Sequence, residues 1–362
     1  MTRTRLRIVV GIIVAAAALY APYYFEPPIN QELSRAIYFA IAAMGLNLLT
    51  GFNGQVSIGH GAFFGVGAFT TAILMDTHGM TFELTIPVAA LFAAILGVLV
   101  GVPALRVRGL YLALVTLGLA VLFPRIGQKF VEGSGGTALV RPDRDEFNTL
   151  IRFLDDDQWQ YIESLAIAVV LFLLAWNLTR SRIGRAMVAV RDQELAASTV
   201  GINLAQVKVG VFALSAAYAG VAGSLSVMID RAADATDPII AFRNSIEFLV
   251  AVVIGGTATI AGPAVGALIL ILLRRETDGL IEGKEVLSPA IFGASLIAMI
   301  YVLPGGVVGG LRKLTDRVLP ARAGELSGPV AGTALEPEAV DQSIATTAPG
   351  DPPGAPPTKE HP

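Results

Sequence analysis

Residues 85–103 read TIPVAALFAAILGVLVGVP, nineteen residues without a charged side chain. The hydrocarbon core of a bilayer is about 30 Å thick, and an α-helix needs roughly 20 predominantly apolar residues to cross it. This stretch therefore predicts a transmembrane helix, and it sets the class of fold expected for the whole chain.

The remainder of the chain has the same apolar character. Of its 362 residues, 54% are hydrophobic and 15% are charged, and the mean hydropathy is +0.66. We expect an all-α polytopic membrane protein with about ten transmembrane segments, one of them short or re-entrant, and with both termini cytoplasmic. The predicted spans are residues 8–25, 34–50, 59–75, 85–103, 109–124, 161–179, 209–229, 246–262 and 287–303, with a short apolar run at 263–273.

Lys and Arg accumulate in alternate loops, and positively charged loops tend to stay cytoplasmic. The basic stretches are the N-terminus, the link at 106–108, the loop at 180–208 and the segment after residue 312. The loops between them are acidic, above all residues 125–160, which carry seven carboxylates. The sequence therefore predicts that 180–208 is cytoplasmic and that 125–160 is extracytoplasmic.

Residues 246–273 contain too many apolar residues for one span and a glycine- and proline-rich interruption in the middle. A single crossing would place the basic cluster at 312–322 outside, against the charge rule. We therefore predict a helix break, so that one piece descends and a short or re-entrant piece returns. The residues of this break are Gly255, Gly256, Gly262 and Pro263.

The chain divides into a transmembrane domain at 1–322 and a tail at 323–362 that is rich in Ala, Pro and Gly and is expected to be disordered. The first 25 residues have an alternative interpretation as a cleaved signal peptide, because three arginines precede an apolar run.

Several classes of function are excluded by residues that the sequence lacks. A net charge of −3 argues against nucleic acid as a partner, and the absence of cysteine excludes thiolate metal sites and a cysteine nucleophile. The three histidines are scattered, so no metal site is predicted.

The spans lack embedded charge, with Glu163 and Glu247 interpreted as interfacial anchors, so a proton-driven carrier is disfavoured. No GxxxxGK[ST] motif is present, so this chain is not expected to bind ATP or any other cofactor, or to be an enzyme.

A transporter without its own energy source needs a partner ATPase and a cytoplasmic surface that the ATPase can move. The loop at 180–208 fits this role, because small apolar residues alternate with charges at helical spacing and Gly201 can end the helix. The alternative is a basic loop that lies on lipid headgroups. The predicted coupling residues are Arg185, Ala186, Ala189, Arg191, Glu194, Ala196, Ala197 and Gly201.

Residues 45–67, GLNLLTGFNGQVSIGHGAFFGVG, combine seven glycines with polar side chains. Interrupted helices of this kind often line solute paths. We therefore predict Asn47, Gln55, Ser57 and His60 on the translocation path, although packing is the favoured role for His60 taken alone.

These stretches together resemble the longer type of permease subunit in branched-chain amino acid ABC importers. The similarity covers roughly residues 34–310 and includes GLNLLTGFNGQVSIGHGAFFGVGAF, RGLYLALVTLG, IGRAMVAVRDQELAASTVGIN and GGTATIAGPAVGA, the last with Ala258 where a glycine is common. The resemblance implies a heterodimer with a second related permease, two cytoplasmic ATPase subunits that use ATP, and an extracytoplasmic solute-binding protein. It also implies the inner or plasma membrane of a bacterial-type cell.

The function expected from this resemblance is a permease subunit that forms the translocation path for Leu, Ile and Val. Urea or short amides are the alternative solutes within the same architecture. An ATPase-independent secondary carrier or channel, and a membrane scaffold without transport, are the alternatives from other classes.

Overall fold

The computed structural model describes residues 16–105, 110–130, 137–139, 155–234, 237 and 239–279, with short pieces at 293–294, 297–298, 301 and 305–311. Residues 16–24 are helical. The helices that follow are α1 (Pro27–Leu46), a π-helical turn (Asn47–Phe52), α2 (His60–His78), α3 (Phe82–Ala104), α4 (Leu110–Phe130), α5 (Asp156–Arg180), α6 (Arg182–Asp192), α7 (Glu194–Thr199), α8 (Leu204–Asp230), α9 (Ile240–Gly255) and α10 (Gly262–Gly279). Two short strands are β1 (Thr137–Leu139) and β2 (Ala232–Asp234).

Within the described part of the chain, five helical segments are long and apolar enough to cross a membrane. They are Pro27–Phe52, Phe82–Pro103, Tyr111–Lys129, Asp156–Arg180 and Leu204–Asp230. The chain is therefore a polytopic helical membrane protein, as the composition predicts. Residues 8–15 of the first predicted span, most of the predicted span at 287–303 and the whole tail at 323–362 lie outside the described residues.

Helices α1 and α8 form the centre of the bundle. The most apolar window of α8 is 83% buried and that of α1 is 78% buried, whereas the corresponding window of α5 is 17% buried. Helix α8 runs from the loop at 181–203 to the strand pair, so these two features mark opposite ends of the bundle. We call them the loop end and the strand end.

The contact between α2 and α8 depends on glycine. A Cβ atom on Gly67 would collide with the backbone of Gly220, and a Cβ atom on Gly223 would collide with the carbonyl of Phe64. The hydroxyl of Thr71 donates a 2.7 Å hydrogen bond to Ser224 across the same contact. Small residues let two helix backbones approach closely in a membrane, so this packing favours one register of α2 against α8.

The interruption in residues 246–273 is a helical hairpin. Helix α9 ends at Gly255, and α10 begins at Gly262 with Pro263 in its first turn, where proline is tolerated because its missing N–H has no partner to lose. The hairpin is close-packed, since Gly266 lies against the backbone of Ala251. Helix α10 has 18 residues and is longer than the apolar run at 263–273, because it continues through Arg274 and Arg275.

The expectation that Glu247 is an anchor in contact with water is wrong. Its relative exposure is 8%, and Arg274 of α10 lies 3.3 Å from one carboxylate oxygen. The apolar pattern of α9 could not reveal this, because the partner lies 27 residues further along the chain. Glu163, the other residue interpreted as an anchor, is half-buried on α5.

The sequence analysis did not predict the antiparallel pair of β1 and β2. Thr137 pairs with Asp234 and Leu139 with Ala232, so the predicted extracytoplasmic insert contacts the segment between α8 and α9. The insert is also shorter than predicted at both ends, because α4 continues to Phe130 and α5 begins at Asp156. Residues 140–154 of the insert lie outside the described residues.

We predict that Gly223→Leu prevents the close approach of α2 and α8. Overpacking against a backbone carbonyl should cost about 3 kcal/mol or more of folding stability. The thermal transition of the purified full-length chain, followed by size-exclusion chromatography, measures this loss. Gly210→Ala on the same helix is the control, because no atom lies within 4 Å of its added Cβ; an equal loss in both variants would contradict the packing argument.

Candidate functional site

The loop between α5 and α8 folds as two short helices at an angle, rather than as the single helix that the sequence predicts. The break is at Gln193, whose backbone is extended with φ −159°. Ser181 caps α6, because its hydroxyl accepts hydrogen bonds from the backbone N–H groups of Ile183 at 3.1 Å and Gly184 at 3.4 Å. Gly184 packs against the carbonyls of Leu178 and Thr179, so α6 follows α5 through a tight corner.

Helix α7 ends where the sequence places its stop. Gly201 is left-handed at φ +85°, and its N–H donates to the carbonyl of Ser198 at 3.1 Å while the N–H of Ile202 donates to that of Ala197 at 3.1 Å. These two bonds form a Schellman motif, for which glycine is the preferred residue. The two loop helices therefore have defined ends.

The two loop helices bury one side and expose the other. Met187, Val190 and Ala197 face inward, and Ala197 is only 3% exposed. Ala186 and Ala189 are half-buried, whereas Arg185 and Ala196 are exposed. The outward apolar surface is formed by Leu195 and Val200, which are 77% and 76% exposed. The predicted coupling set omits both residues, since an alternation of small residues cannot show which side faces the bundle.

An ion pair and a hydrogen bond hold the start of α7 on the bundle. Lys208 of α8 lies 2.5 Å from the carboxylate of Glu194. The side-chain amide of Gln55 donates to the backbone carbonyl of Lys208 at 3.2 Å. Glu194 and Gln55, predicted for two different roles, thus contact the same residue.

The second anchor of the loop is Arg191 at the end of α6. Its Nη1 donates a 3.0 Å hydrogen bond to the carbonyl of Gly51, inside the π-helical turn. Its side chain also packs on Gly54, whose φ of +74° and lack of a Cβ atom leave room for it. π-Helical turns are rare and occur often at functional sites, because they free backbone groups for other partners. Here the freed Gly51 carbonyl bonds to the loop.

The same π-helical turn binds the loop between α9 and α10, residues 256–261, which we call the break loop. The side-chain amide of Asn47 donates to the carbonyl of Thr259 at 2.8 Å and accepts from the N–H of Ala258 at 2.9 Å. The hydroxyl of Thr259 donates to the carbonyl of Gly256 and accepts from the N–H of Gly262, which closes the turn. The break loop is therefore an ordered structure.

The backbone of the break loop explains a sequence difference. Ala258 has φ +56°, a left-handed conformation that is strained for any residue with a Cβ atom. This is the position where the resembling sequences often have glycine. Gly256, at φ +115°, has a conformation that favours glycine still more strongly.

Three stretches that are far apart in sequence thus meet at the loop end. Arg191 contacts the π-helical turn, Asn47 of that turn contacts the break loop, and Gly255 and Gly262 contact each other across the break. The chain of contacts runs from α6 to the α9–α10 hairpin without an intervening gap.

Ser57 and His60 are fully buried beside this site. Ser57 accepts a 3.4 Å hydrogen bond from the N–H of Gly59, and the Nε2 of His60 lies 3.0 Å from the carbonyl of Ala42. His60 also packs edge-on against the ring of Phe248. These contacts fit a packing role for His60, and the assignment of Asn47, Gln55, Ser57 and His60 to the solute path stays a prediction.

Among the described residues, no group of three or more His, Cys, Asp or Glu side chains could hold a metal ion. Asn53, directly after the π-helical turn, is 2% exposed, and within the described region neither atom of its side-chain amide has a hydrogen-bond partner. It lies next to the contact between Gly54 and Arg191.

We predict that Asn47→Ala loosens the break loop. It would leave the N–H of Ala258 and the carbonyl of Thr259 without their partner, at a cost of about 1–2 kcal/mol for two partly buried groups. The thermal transition should fall, and limited proteolysis should cut within 256–261. Asn177→Ala, on the exposed side of α5, should change neither measurement; an intact break loop in Asn47→Ala would refute the proposed bond pair.

The chain matches one protein family and several curated proteins. The family model described as "Branched-chain amino acid transport system / permease component" covers residues 29–300. The high-affinity branched-chain amino acid transport system permease protein LivM of Escherichia coli is 28% identical over 83% of this chain and 74% of its own. LivH of the same organism is 25% identical over 79% of this chain and 96% of its own. The ribose import permease protein RbsC of Haemophilus influenzae is 26% identical over 72% of this chain and 80% of its own.

No solved structure matches the chain significantly. The family match extends over far more than half of the 362 residues and includes the π-helical turn, both loop helices and the break loop. The chain therefore belongs to the family of permease components of branched-chain amino acid transport systems.

Proposed function

We propose that this chain is the membrane-spanning permease subunit of an ATP-driven importer for Leu, Ile and Val, which an extracytoplasmic binding protein delivers. The support is the family match together with the names of relatives such as LivM, a high-affinity branched-chain amino acid permease protein. The proposed location is the inner or plasma membrane of a bacterial-type cell, crossed by about ten segments with both termini cytoplasmic.

The proposed complex contains a second, related permease and two cytoplasmic ATPase subunits. Escherichia coli LivM and LivH are both similar to this chain, which supports a paired permease. The ATPase subunits would bind and hydrolyse ATP, since the sequence of this chain has no P-loop motif. The chain would bind no cofactor of its own.

The loop end would face the cytoplasm, because the loop at 180–208 is basic. The ATPase would then dock on the outward side of α6 and α7, where Leu195 and Val200 are exposed. Exposed apolar side chains on two short helices with defined ends suit the docking of a partner that must move these helices.

The hydrogen bond from Arg191 to Gly51 is the observation that carries the proposed coupling between the ATPase and the membrane helices. Movement of α6 would act on the π-helical turn through this bond, and Asn47 would pass the movement to the break loop between α9 and α10. π-Helical turns are frequent at functional sites, and this one joins α6 to the break loop, so we propose it as the element that the ATPase biases.

We predict that Arg191→Gln uncouples ATP hydrolysis from transport. Leucine accumulated per ATP should fall about tenfold or more, in the range expected for a coupling free energy of about 1–3 kcal/mol. Binding-protein-stimulated ATPase activity in proteoliposomes should persist, because the docking surface of Leu195 and Val200 is unchanged. Arg243→Gln, which alters an ion pair with Asp237 at the strand end, is the control. Normal accumulation in Arg191→Gln would contradict this transmission route.

The function itself is tested by reconstituting the full-length chain with the second permease, the ATPases and the binding protein of the proposed complex. We expect ATP-dependent accumulation of leucine that an excess of isoleucine or valine suppresses. Accumulation of urea but not leucine would assign the other solute class. Leucine uptake by this chain alone, in vesicles without ATP, would overturn the proposal in favour of a secondary carrier.

A further inference from the structure

A cavity of about 490 Å³ lies at the strand end of the bundle, far from the loop helices. Its wall is formed by α1, α2, α4, α8, β2, α9 and α10. This volume is within the range of sites that bind small molecules. The residues of the predicted solute path, Asn47 to His60, do not contribute to this wall.

The cavity has charges of both signs in equal number. Three carboxylates and three guanidinium groups line it: Glu32, Asp230 and Glu247, with Arg35, Arg274 and Arg275. A site with balanced charge suits a ligand that has no net charge but carries both signs. It would disfavour a simple anion or a simple cation, each of which would leave one set of charges unmatched.

Part of the cavity wall is aromatic. Tyr38, Phe39, Phe64, Phe69 and Phe123 line it, and their rings pack against one another, with Phe69 and Phe123 centred 5.9 Å apart. Gly65 makes this wall possible, because a Cβ atom there would collide with the ring of Phe123. An aliphatic side chain of the ligand could pack on this surface.

The charged groups differ in how fully they are already paired. Arg35 forms close ion pairs with Asp230 at 2.9 Å and with Glu32 at 2.7 Å, and the Tyr38 hydroxyl donates to Asp230 at 3.0 Å. This cluster has the short contacts of a structural network.

The contact between Glu247 and Arg274 is looser. A single nitrogen of Arg274 reaches both carboxylate oxygens, at 3.3 and 3.4 Å, although a two-nitrogen fork at shorter distance is the favourable arrangement. Glu247 is 8% exposed, whereas the side chain of Arg274 is 45% exposed, so the carboxylate has lost much of its hydration without gaining good geometry. A half-exposed pair with this geometry contributes little to stability, which favours a role in binding.

We propose that this cavity binds the zwitterionic head of a free α-amino acid between Arg274 and Glu247. The ligand carboxylate bonds to Arg274, the ligand ammonium bonds to Glu247, and its aliphatic side chain packs on the aromatic wall. The ligand replaces one loose ion pair with two charge-assisted contacts and leaves the net charge of the cavity unchanged. This inference rests on the proposed function and adds the residues that would select an amino acid over a neutral amide such as urea.

The test measures binding of radiolabelled L-leucine to the purified complex of permeases and ATPases, without the binding protein. We expect Glu247→Gln and Arg274→Gln each to weaken leucine binding by about tenfold or more, as expected for a lost charge-assisted bond. Leucinamide and 2-hydroxy-4-methylpentanoate, which each lack one of the two charges, should compete poorly. Asn177→Ala, on the exposed side of α5 and outside the cavity lining, should bind leucine normally.

A double variant, Glu247→Arg with Arg274→Glu, separates binding from structure. It keeps an ion pair between α9 and α10 but reverses the charges that the ligand meets, so the thermal transition should match that of the wild type while leucine binding stays weak. Leucine binding at the wild-type level in this double variant would show that the pair is only structural and would overturn the inference.

Leucine uptake and binding by the wild-type complex, compared with leucine binding by the two single variants, distinguish the cavity proposal from the proposed function. ATP-driven leucine uptake together with unchanged leucine binding in both single variants would refute the cavity and leave the proposed function standing. A wild-type complex that neither transports nor binds leucine would refute both.

Discussion

A backbone that leaves helical geometry loses the hydrogen-bond partners that the helix supplies, so other groups of the protein must replace them. In the break loop, the Asn47 amide pairs with both the N–H of Ala258 and the carbonyl of Thr259, and the Thr259 hydroxyl closes the turn. The hairpin of α9 and α10 depends on these bonds. Because Asn47 lies in a π-helical turn, the interruption of one membrane helix is stabilised by the interruption of another.

This dependence joins the loop helices to the membrane interior. The π-helical turn offers its Gly51 carbonyl to Arg191 on one side and its Asn47 amide to the break loop on the other. At the other end of the bundle, α9 and α10 supply Glu247 and Arg274 to the charged cavity. The hairpin thus has one end in contact with the loop helices through the π-helical turn and the other end at the cavity wall.

Local sequence patterns predicted much of this arrangement. Uncharged apolar runs predicted the long helices, and the Gly-Gly and Gly-Pro pairs placed the break between α9 and α10. Patterns of this kind cannot show which residues meet across the bundle. The pairing of Glu247 with Arg274, the inward orientation of Ala197 and the strand pair of 137–139 with 232–234 all depend on tertiary contacts. Polar residues in a glycine-rich helix likewise carry no local sign of whether they bond to backbone, as Asn47 does, or to a solute.

The packing of Arg191 on Gly54 has a consequence for how this protein can diverge. Any side chain at position 54 would have to accept a left-handed backbone and would also displace the arginine from the Gly51 carbonyl. A substitution at Gly51 or Gly54 would therefore disturb the contacts of Arg191, which lies 140 residues after Gly51 in the sequence. Across related permeases, positions 51, 54 and 191 should change together or stay constant together, as a correlated triplet in an alignment.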